Sequence, residues 1–343
     1  MKLGITGLPS SGKSTVFEAL TQSISDTGHK GEDRIGAIKV PDSRVDVLSD
    51  MYNPRKTIYA QVEYFLPGMP GHQKENKPDR NLLTRVRDCD ALIHVVRNFG
   101  GYGFENPEPC KDVLTLDQEL IIADLVVVEK RLERLELDKK RGKPIEQEEI
   151  SLLTQCLKHL EDEIPLRKFP KIASAHLLKG YAFLSAKPML VLFNNEDDDD
   201  LMPPDKGDDL ENSMVIKGKL EQELVQMSDE DAKEFLAEFN ITASAMARVI
   251  KRSYQLLGLI SFFTVGEDEV RAWTIKGETQ ALDAAEVIHS DIKKGFIRAE
   301  AISYTDLTEA GAYKEARKKG TVRLEGKTYK VQDGDIINFR FNV

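Results

Sequence analysis

Nine residues near the amino terminus have the types and spacing that bind phosphate. The stretch GLPSSGKST matches the pattern G-x-x-x-x-G-K-[ST] at each constrained position. In such a loop, glycines let main-chain N–H groups turn toward an anion, and the lysine reaches the outer phosphates. The pattern predicts a loop that holds a nucleotide polyphosphate, with Lys13 stabilising the phosphates and the Ser14 hydroxyl as a ligand of Mg²⁺. The candidate nucleotide-binding residues in this loop are Gly7, Leu8, Pro9, Ser10, Ser11, Gly12, Lys13, Ser14 and Thr15.

The elements around this loop predict an α/β domain. KLGITG before the loop is a short apolar strand, and GKSTVFEALTQ after it has a helical pattern. Further short apolar runs, interleaved with helical segments, are typical of a mostly parallel sheet with helices on both faces. They lie at residues 35–40, 58–66, 91–97 and 189–194.

Two stretches between residues 116 and 164 carry apolar residues at helical spacing. Leu125, Val128, Leu132 and Leu135 form the first row, and Ile150, Leu153, Leu157, Leu160 and Ile164 form the second. Because RGKP at residues 141–144 separates them with a glycine and a proline, the pattern predicts an inserted antiparallel helical hairpin, or coiled coil, with one apolar seam.

The last 84 residues change character. ISFFTV, EVRAWTI, TVRLEG, KTYKVQ and DIINFRFNV are strand candidates, and ETQALDAAEVIHSDIKKG is a helix candidate. The predicted organisation is a nucleotide-binding domain in two parts, 1–114 and 171–259, with the hairpin at 115–170 inserted and a small α+β domain at 260–343.

Composition restricts the classes of protein that remain. No apolar run is long enough to cross a membrane and no signal peptide leads the chain, so we expect a cytoplasmic protein without a membrane partner. Three cysteines without CxxC spacing predict buried thiols. Residues 196–238 hold 16 acidic residues and four lysines, a local charge of −12. The formal net charge of the whole chain is −10, so the remainder is slightly basic. The acidic, turn-rich part at 195–213 is interpreted as a solvated loop, with a cation site as the alternative.

Taken together, these features resemble the YchF group of Obg-related P-loop ATPases over nearly the whole chain. The resemblance is carried by VPDSRVDVLSDMYNPRK at residues 40–56, DALIHVVRNF at 90–99 and ELIIADLVVVEK at 119–130. The C-terminal stretch is similar to the family's TGS domain, a β-grasp module. The resemblance implies binding of ATP in preference to GTP, with Mg²⁺, and association with the ribosome through its RNA or protein.

The later motifs of this family are altered here. Where the family has D-x-x-G, this chain has Phe65-Leu66-Pro67-Gly68, so a phenylalanine replaces a carboxylate that supports Mg²⁺. The base-reading N-x-x-E aligns with residues 193–196, which makes Asn194 and Glu196 candidates for base binding, and the loop after it contributes Lys219. The loop of the family's proposed catalytic histidine has Tyr102 as its nearest counterpart.

Two histidines lie near these motifs. His72 follows a glycine turn and is a candidate for orienting a water, although a solvated loop histidine explains it as well. His94 lies within an apolar strand, so we expect it to hydrogen-bond internally.

Two functions remain open at this point. One is a slow, ribosome-associated nucleotide switch that binds ATP or GTP. The other is a non-hydrolysing scaffold that acts through its helical and TGS-like domains. Single-stranded nucleic-acid binding by residues 313–330, where basic and aromatic residues mix, is a third possibility, and no specific DNA partner is expected.

Overall fold

The computed structural model describes residues 1–23, 31–68, 80–101, 105–204, 212–238 and 244–342. The chain divides into two compact units. One contains Met1–Ala37 and Glu63–Val249, and the other contains Ile38–Val62 and Ile250–Val343. The domain boundaries expected from the sequence stay a prediction.

Twelve strands are present in the described residues, in two sheets of six. Their bounds are β1 Lys2–Thr6, β2 Arg34–Lys39, β3 Lys56–Ile58, β4 Gln61–Leu66, β5 Ala91–Asn98, β6 Met189–Asn195, β7 Ser213–Ile216, β8 Leu259–Val265, β9 Glu269–Lys276, β10 Phe296–Ser303, β11 Arg323–Glu325 and β12 Asp335–Phe341.

The α-helices of the described residues follow the same chain order. They are α1 Lys13–Thr21, α2 Ser43–Tyr52, α3 Arg80–Arg85, α4 Pro109–Lys140, α5 Gln147–Glu161, α6 Pro170–Ala173, α7 Gly218–Gln226, α8 Asp229–Glu238, α9 Ala245–Leu256, α10 Ala281–Ile288, α11 Ser290–Lys294, α12 Tyr304–Ala310 and α13 Tyr313–Lys319. Short 3₁₀ helices lie at Val86–Asp88, Leu166–Lys168 and His176–Tyr181.

The first sheet has the order β2-β4-β1-β5-β6-β7. The pairings of β1 with β4 and β5, of β5 with β6, and of β6 with β7 are all parallel, as the sequence predicts. Side chains on both faces of β5 are buried, since Ile93 and Val95 alternate with Leu92 and Val96. Parallel strands direct their carboxyl ends to one edge, where the loop after β1 lies.

The predicted hairpin is formed by α4 and α5. Its seam contains Val128, Leu135, Leu153 and Leu160, with Leu125, Leu132, Ile150 and Leu157 packed against them. Gly142, at φ 71° in the connection, adopts the left-handed conformation that a turn requires and that glycine favours. The helical periodicity was therefore sufficient to predict both helices, although Ile164 of the second row lies beyond the end of α5 at Glu161.

The second sheet has the order β11-β10-β12-β8-β9-β3 and builds the predicted β-grasp arrangement. The strand pair β8 and β9 is antiparallel, whereas β12 lies parallel to β8. Helix α10 packs on this sheet through Ala281, Ala284 and Ala285, which share a cluster with Phe262 and Phe339.

Three local predictions differ from the structure. Residues 58–66 form two strands instead of one, because β3 pairs with β9 while β4 pairs with β1. KTYKVQ has only an isolated bridge at Lys330, since turns at Gly326 and Gln332 close on either side of it. The predicted helix at 278–295 is broken at His289, whose extended backbone starts α11 and whose Nδ1 accepts from Asp291 N.

Two of the three cysteines agree with the expectation of buried thiols. Cys89 and Cys156 are buried thiols, and Cys110 is partly buried. No helix of the described chain is both long and apolar enough to span a bilayer.

Candidate nucleotide-binding site

The loop between β1 and α1 has the backbone that a phosphate-binding loop needs. Gly7, Ser10 and Gly12 have φ values of 145°, 61° and 93°. A Cβ at Gly7 would lie 2.3 Å from the Val95 carbonyl oxygen, and one at Gly12 would lie 2.3 Å from the Asn194 Nδ2 atom. Glycine is therefore required at both positions, for conformation and for space.

The amino end of α1 is open to an anion. Gly12 precedes the helix, and no side chain caps it. The first N–H groups of a helix have no partner within the helix, and they carry the positive end of its dipole. A phosphate group is the natural ligand for such a terminus at the end of a glycine loop.

Lys13 is folded back over the loop. Its Nζ atom donates to the carbonyl oxygens of Gly7 at 3.0 Å and Leu8 at 2.6 Å. The side chain is buried, and burial lowers the pKa of Lys13 to about 8. The cation is thus held at the mouth of the loop by weak neutral acceptors, which phosphate oxygens would replace favourably.

Asn194 joins three segments at this edge of the sheet. Its Nδ2 atom donates to the Ser11 carbonyl oxygen at 3.1 Å, and its Oδ1 atom accepts from Gly218 N at 2.9 Å. A Cβ at Gly218 would lie 2.7 Å from that Oδ1 atom, so the amino end of α7 approaches Asn194 closely. Asn194 therefore fixes the phosphate loop to the ends of β6 and β7.

The hydroxyl groups of Ser11 and Ser14 have no hydrogen-bond partner in the described residues. Ser11 Oγ is buried, and Ser14 is exposed at the start of α1. Among the described residues no cluster of acidic, histidine or cysteine side chains forms a metal site. A phosphate loop offers Mg²⁺ one serine hydroxyl while nucleotide phosphates supply most other ligands, and the exposed Ser14 hydroxyl fits that role.

The other predicted base-binding residues are Glu196, which has a partner within the chain, and Lys219, which is exposed. Glu196 Oε1 accepts from Gly100 N at 2.7 Å, so this carboxylate is tied to the segment after β5. Lys219 is exposed in the first turn of α7, and its neighbour Lys217 pairs with Asp200 at 2.9 Å. Glu196 thus has a partner within the chain, which was not expected for a residue that reads the base.

Phe65 packs in an apolar cluster, and the Lys2 Nζ atom lies over its ring at 4.9 Å from the centroid. Its ring belongs to the cluster formed with Leu83, Val86, Leu92 and others beneath α4. Gly68 N donates instead to Asp33 Oδ1 at 2.9 Å, and this carboxylate also pairs with Arg85. The candidate residues His72 and Tyr102 lie outside the described residues, so their roles stay predictions.

The environment of His94 differs from the one expected from the sequence. Both ring nitrogens are buried without a hydrogen-bond partner in the described structure, although an internal hydrogen bond was expected. Strand alternation places His94 on the same face of β5 as Leu92 and Val96. Burial, with the positive charges of Arg167 and Lys13, lowers the pKa of His94 to about 3, so the ring is neutral near pH 7.

Replacing His94 by leucine is expected to flatten the acid branch of the stability profile. The unfolded ring takes up a proton near pH 6.5 and the folded ring only near pH 3, so its contribution is lost as pH falls through this window. The wild type should lose roughly 1 kcal/mol of unfolding free energy per pH unit relative to His94→Leu there. Urea titrations at pH 7 and pH 5 measure the difference, and parallel profiles would contradict it.

The fold and the loop together define a P-loop nucleotide-binding protein with a helical hairpin and a C-terminal β-grasp domain. Comparison with known proteins gives the same class. The family model YchF-GTPase_C, described as "Protein of unknown function (DUF933)", matches residues 259–342. The curated protein "Ribosome-binding ATPase YchF" of Bacillus subtilis is 36% identical, over 99% of this chain and 99% of its own.

Other relatives agree along the full length. The protein of the same name from Haemophilus ducreyi is 36% identical, over 100% of this chain and 99% of its own. The solved structure of the Schizosaccharomyces pombe YchF GTPase superposes with a TM-score of 0.83 at 29% identity, over 99% of this chain and 97% of that one. The chain belongs to the YchF family.

Proposed function

We propose that this chain is a cytoplasmic nucleotide switch that binds a purine nucleoside triphosphate with Mg²⁺, hydrolyses it slowly and associates with the ribosome. The observation that carries the proposal is the loop of residues 7–14, where the uncapped end of α1, Lys13 and the free Ser14 hydroxyl meet. The association with the ribosome is proposed from the relatives, which are named ribosome-binding ATPases.

Each part of the loop has a separate task in the proposed reaction. The main-chain N–H groups bind the phosphate chain, and Lys13 neutralises charge on the outer oxygens. Mg²⁺, when bound through Ser14 and the phosphates, supplies further neutralisation of charge that develops during phosphoryl transfer. Asn194 holds the loop in position through Ser11 and takes no part in bond breaking.

Slow hydrolysis follows from the phenylalanine at position 65. The apolar packing of Phe65 leaves no carboxylate at that position to support a metal-bound water. Losing such a supporting group typically costs about 10- to 100-fold in metal affinity or activity. Binding depends on the loop itself and is less affected.

A second candidate function is a scaffold that holds nucleotide without hydrolysing it. The same replacement at Phe65 favours this reading, because binding and catalysis depend on different residues here. Its partners would contact the hairpin or the β-grasp domain, and nucleotide turnover would play no part.

Two measurements on the same sample distinguish these two functions. The full chain is titrated with fluorescent ATP and GTP analogues, with and without Mg²⁺, and phosphate release is then followed. The switch requires saturable binding that Mg²⁺ strengthens, and release above background. Binding without release favours the scaffold, and failure to bind any purine triphosphate overturns the proposal.

A further inference from the structure

A cavity of about 230 Å³ lies at the amino ends of β5 and β6, away from the phosphate loop. Its wall includes Asp90 and Pro188, which directly precede these two parallel strands. The phosphate loop follows the carboxyl end of β1, which is parallel to β5, so the two places are at opposite edges of one sheet. Nucleotide binding therefore does not account for this cavity.

The buried part of the cavity wall is apolar. It is formed by four side chains that belong to the same cluster as the hairpin seam, namely Leu166, Ile172, Leu178 and Phe183. An apolar cavity of about 150 Å³ holds one benzene molecule. Sites for drug-sized ligands are larger, from about 300 Å³ upward. The cavity therefore has room for one ring with a small substituent.

One side of the cavity, formed by residues 182–188, is held in place by the rest of the first unit. Leu184 N and Ser185 N donate to the carboxylate of the buried Asp124, at 2.9 and 2.7 Å. Ser185 O accepts from Arg167 N at 2.8 Å. These bonds exist in the free protein, so a ligand does not have to order this side of the cavity, which favours affinity.

Lys187 is the half-buried cation on that side. Its Nζ atom donates to the Cys89 carbonyl oxygen at 2.5 Å, and within the described part of the chain it forms no ion pair. Burial lowers the pKa of Lys187, and attraction to Asp90 and Asp124 offsets this only in part. The carboxylate of Asp90 already accepts from Lys2 N at 2.9 Å. An ammonium group has three donors, so two remain for a ligand beside the Cys89 carbonyl.

We propose that this cavity binds a small organic monocarboxylate, whose ring-sized apolar body packs on the buried wall and whose carboxylate pairs with Lys187. Small-ligand sites are mostly apolar, with a few polar groups that fix the orientation of the ligand. A carboxylate accepts two charge-assisted hydrogen bonds from the ammonium and supplies the counter-ion that its burial calls for. Lys179, exposed at the rim, adds to the positive potential. A phosphate group is less suited, because its second charge costs more to desolvate against an apolar wall.

The test uses the full chain in fluorine NMR titrations with 4-fluorobenzoate, and with 4-fluorobenzamide as the uncharged probe of the same size. Wild type should bind 4-fluorobenzoate with a Kd of about 1 mM or lower, a usual strength for so small a ligand. Lys187→Met keeps the apolar stem and removes the charge, so it should weaken this binding about 10- to 100-fold, the range for hydrogen bonds to a charged group. 4-Fluorobenzamide should bind wild type and Lys187→Met equally weakly. Lys130→Met, at an exposed site on α4, is the matched control and should bind both probes as wild type does.

Two further measurements locate the bound probe. Ala173→Phe adds a ring at the cavity wall and should abolish binding of 4-fluorobenzoate, while circular dichroism verifies that the variant is folded. Saturating ATP with Mg²⁺ should leave the probe bound, since the phosphate loop lies at the opposite edge of the sheet.

Several results would overturn this assignment. Wild type that shows no saturable binding of 4-fluorobenzoate excludes the site, and equal affinities of Lys187→Met and Lys130→Met exclude the role of Lys187. Retained binding by folded Ala173→Phe places the probe elsewhere, and displacement by ATP places it at the phosphate loop. The cavity is independent of the proposed nucleotide site, so a failure to bind nucleotide would leave this inference intact.

Discussion

Replacing Lys13 by alanine is expected to weaken nucleoside triphosphate binding by at least about 100-fold, since two or more charge-assisted hydrogen bonds to phosphate oxygens are lost. In the free protein these donors are directed to the carbonyl oxygens of Gly7 and Leu8, so the ammonium group is already at the mouth of the loop. Titration of fluorescent nucleotide into wild type and variant measures the loss.

The control for this variant is Lys130→Ala, which removes an exposed lysine on α4 and should leave the affinity unchanged. Retention of near wild-type binding by Lys13→Ala would remove the phosphate loop from the proposal. If wild type binds ribosomes and the variant loses nucleotide but binds them equally well, the result favours the scaffold function over the switch.

The low pKa of Lys13 adds a pH signature to the same experiment. Burial lowers this pKa to about 8 in the free protein, and contact with phosphate raises it again. Binding near pH 8 to 9 should therefore take up protons, and affinity should fall as pH rises through this range. Calorimetric titrations in two buffers with different ionisation enthalpies detect the proton uptake, which should be absent in Lys13→Ala.

Replacing Asp124 by alanine is expected to destabilise the first unit by about 3 to 5 kcal/mol, the cost of breaking a buried charged network. Asp124 lies on α4 and is fully buried. Its Oδ1 atom accepts from Leu184 N at 2.9 Å and its Oδ2 atom from Ser185 N at 2.7 Å, while Arg87 pairs with it at 3.3 Å. The carboxylate thereby joins α4 to the segment that leads into β6.

Removing this side chain leaves two buried N–H groups without their acceptor. It also removes the ion pair of Arg87, whose guanidinium keeps its bonds to the carbonyl oxygens of Ala123 and Ala182. Asp124→Asn should cost less than alanine, because its carbonyl oxygen still accepts one bond although its amide group faces a donor. Glu129→Ala, at an exposed site on the same helix, should change the unfolding free energy by no more than about 0.5 kcal/mol. Urea denaturation followed by circular dichroism compares the three, and equal values for Asp124→Ala and Glu129→Ala would contradict the assigned role.

The elements that local pattern controls were predicted well. The phosphate loop needs glycine at two positive-φ positions, and the spacing G-x-x-x-x-G-K-S records that need directly. The hairpin seam repeats at helical period, and a glycine between its helices fits a left-handed turn. Such features depend on neighbours a few residues away in the chain, so they can be predicted from the sequence.

Only the tertiary structure decided which distant groups meet. Asn194 and Ser11 are 183 positions apart, and no local pattern indicates that the amide of one binds the carbonyl of the other. Glu196 accepts from Gly100 N, which lies 96 positions away in the chain, and this contact too is invisible to local pattern. Similarly, β3 and β4 form one apolar run in the sequence yet pair in different sheets. The sequence determines which residues can form hydrogen bonds, whereas packing determines which of their donors and acceptors remain free for a ligand.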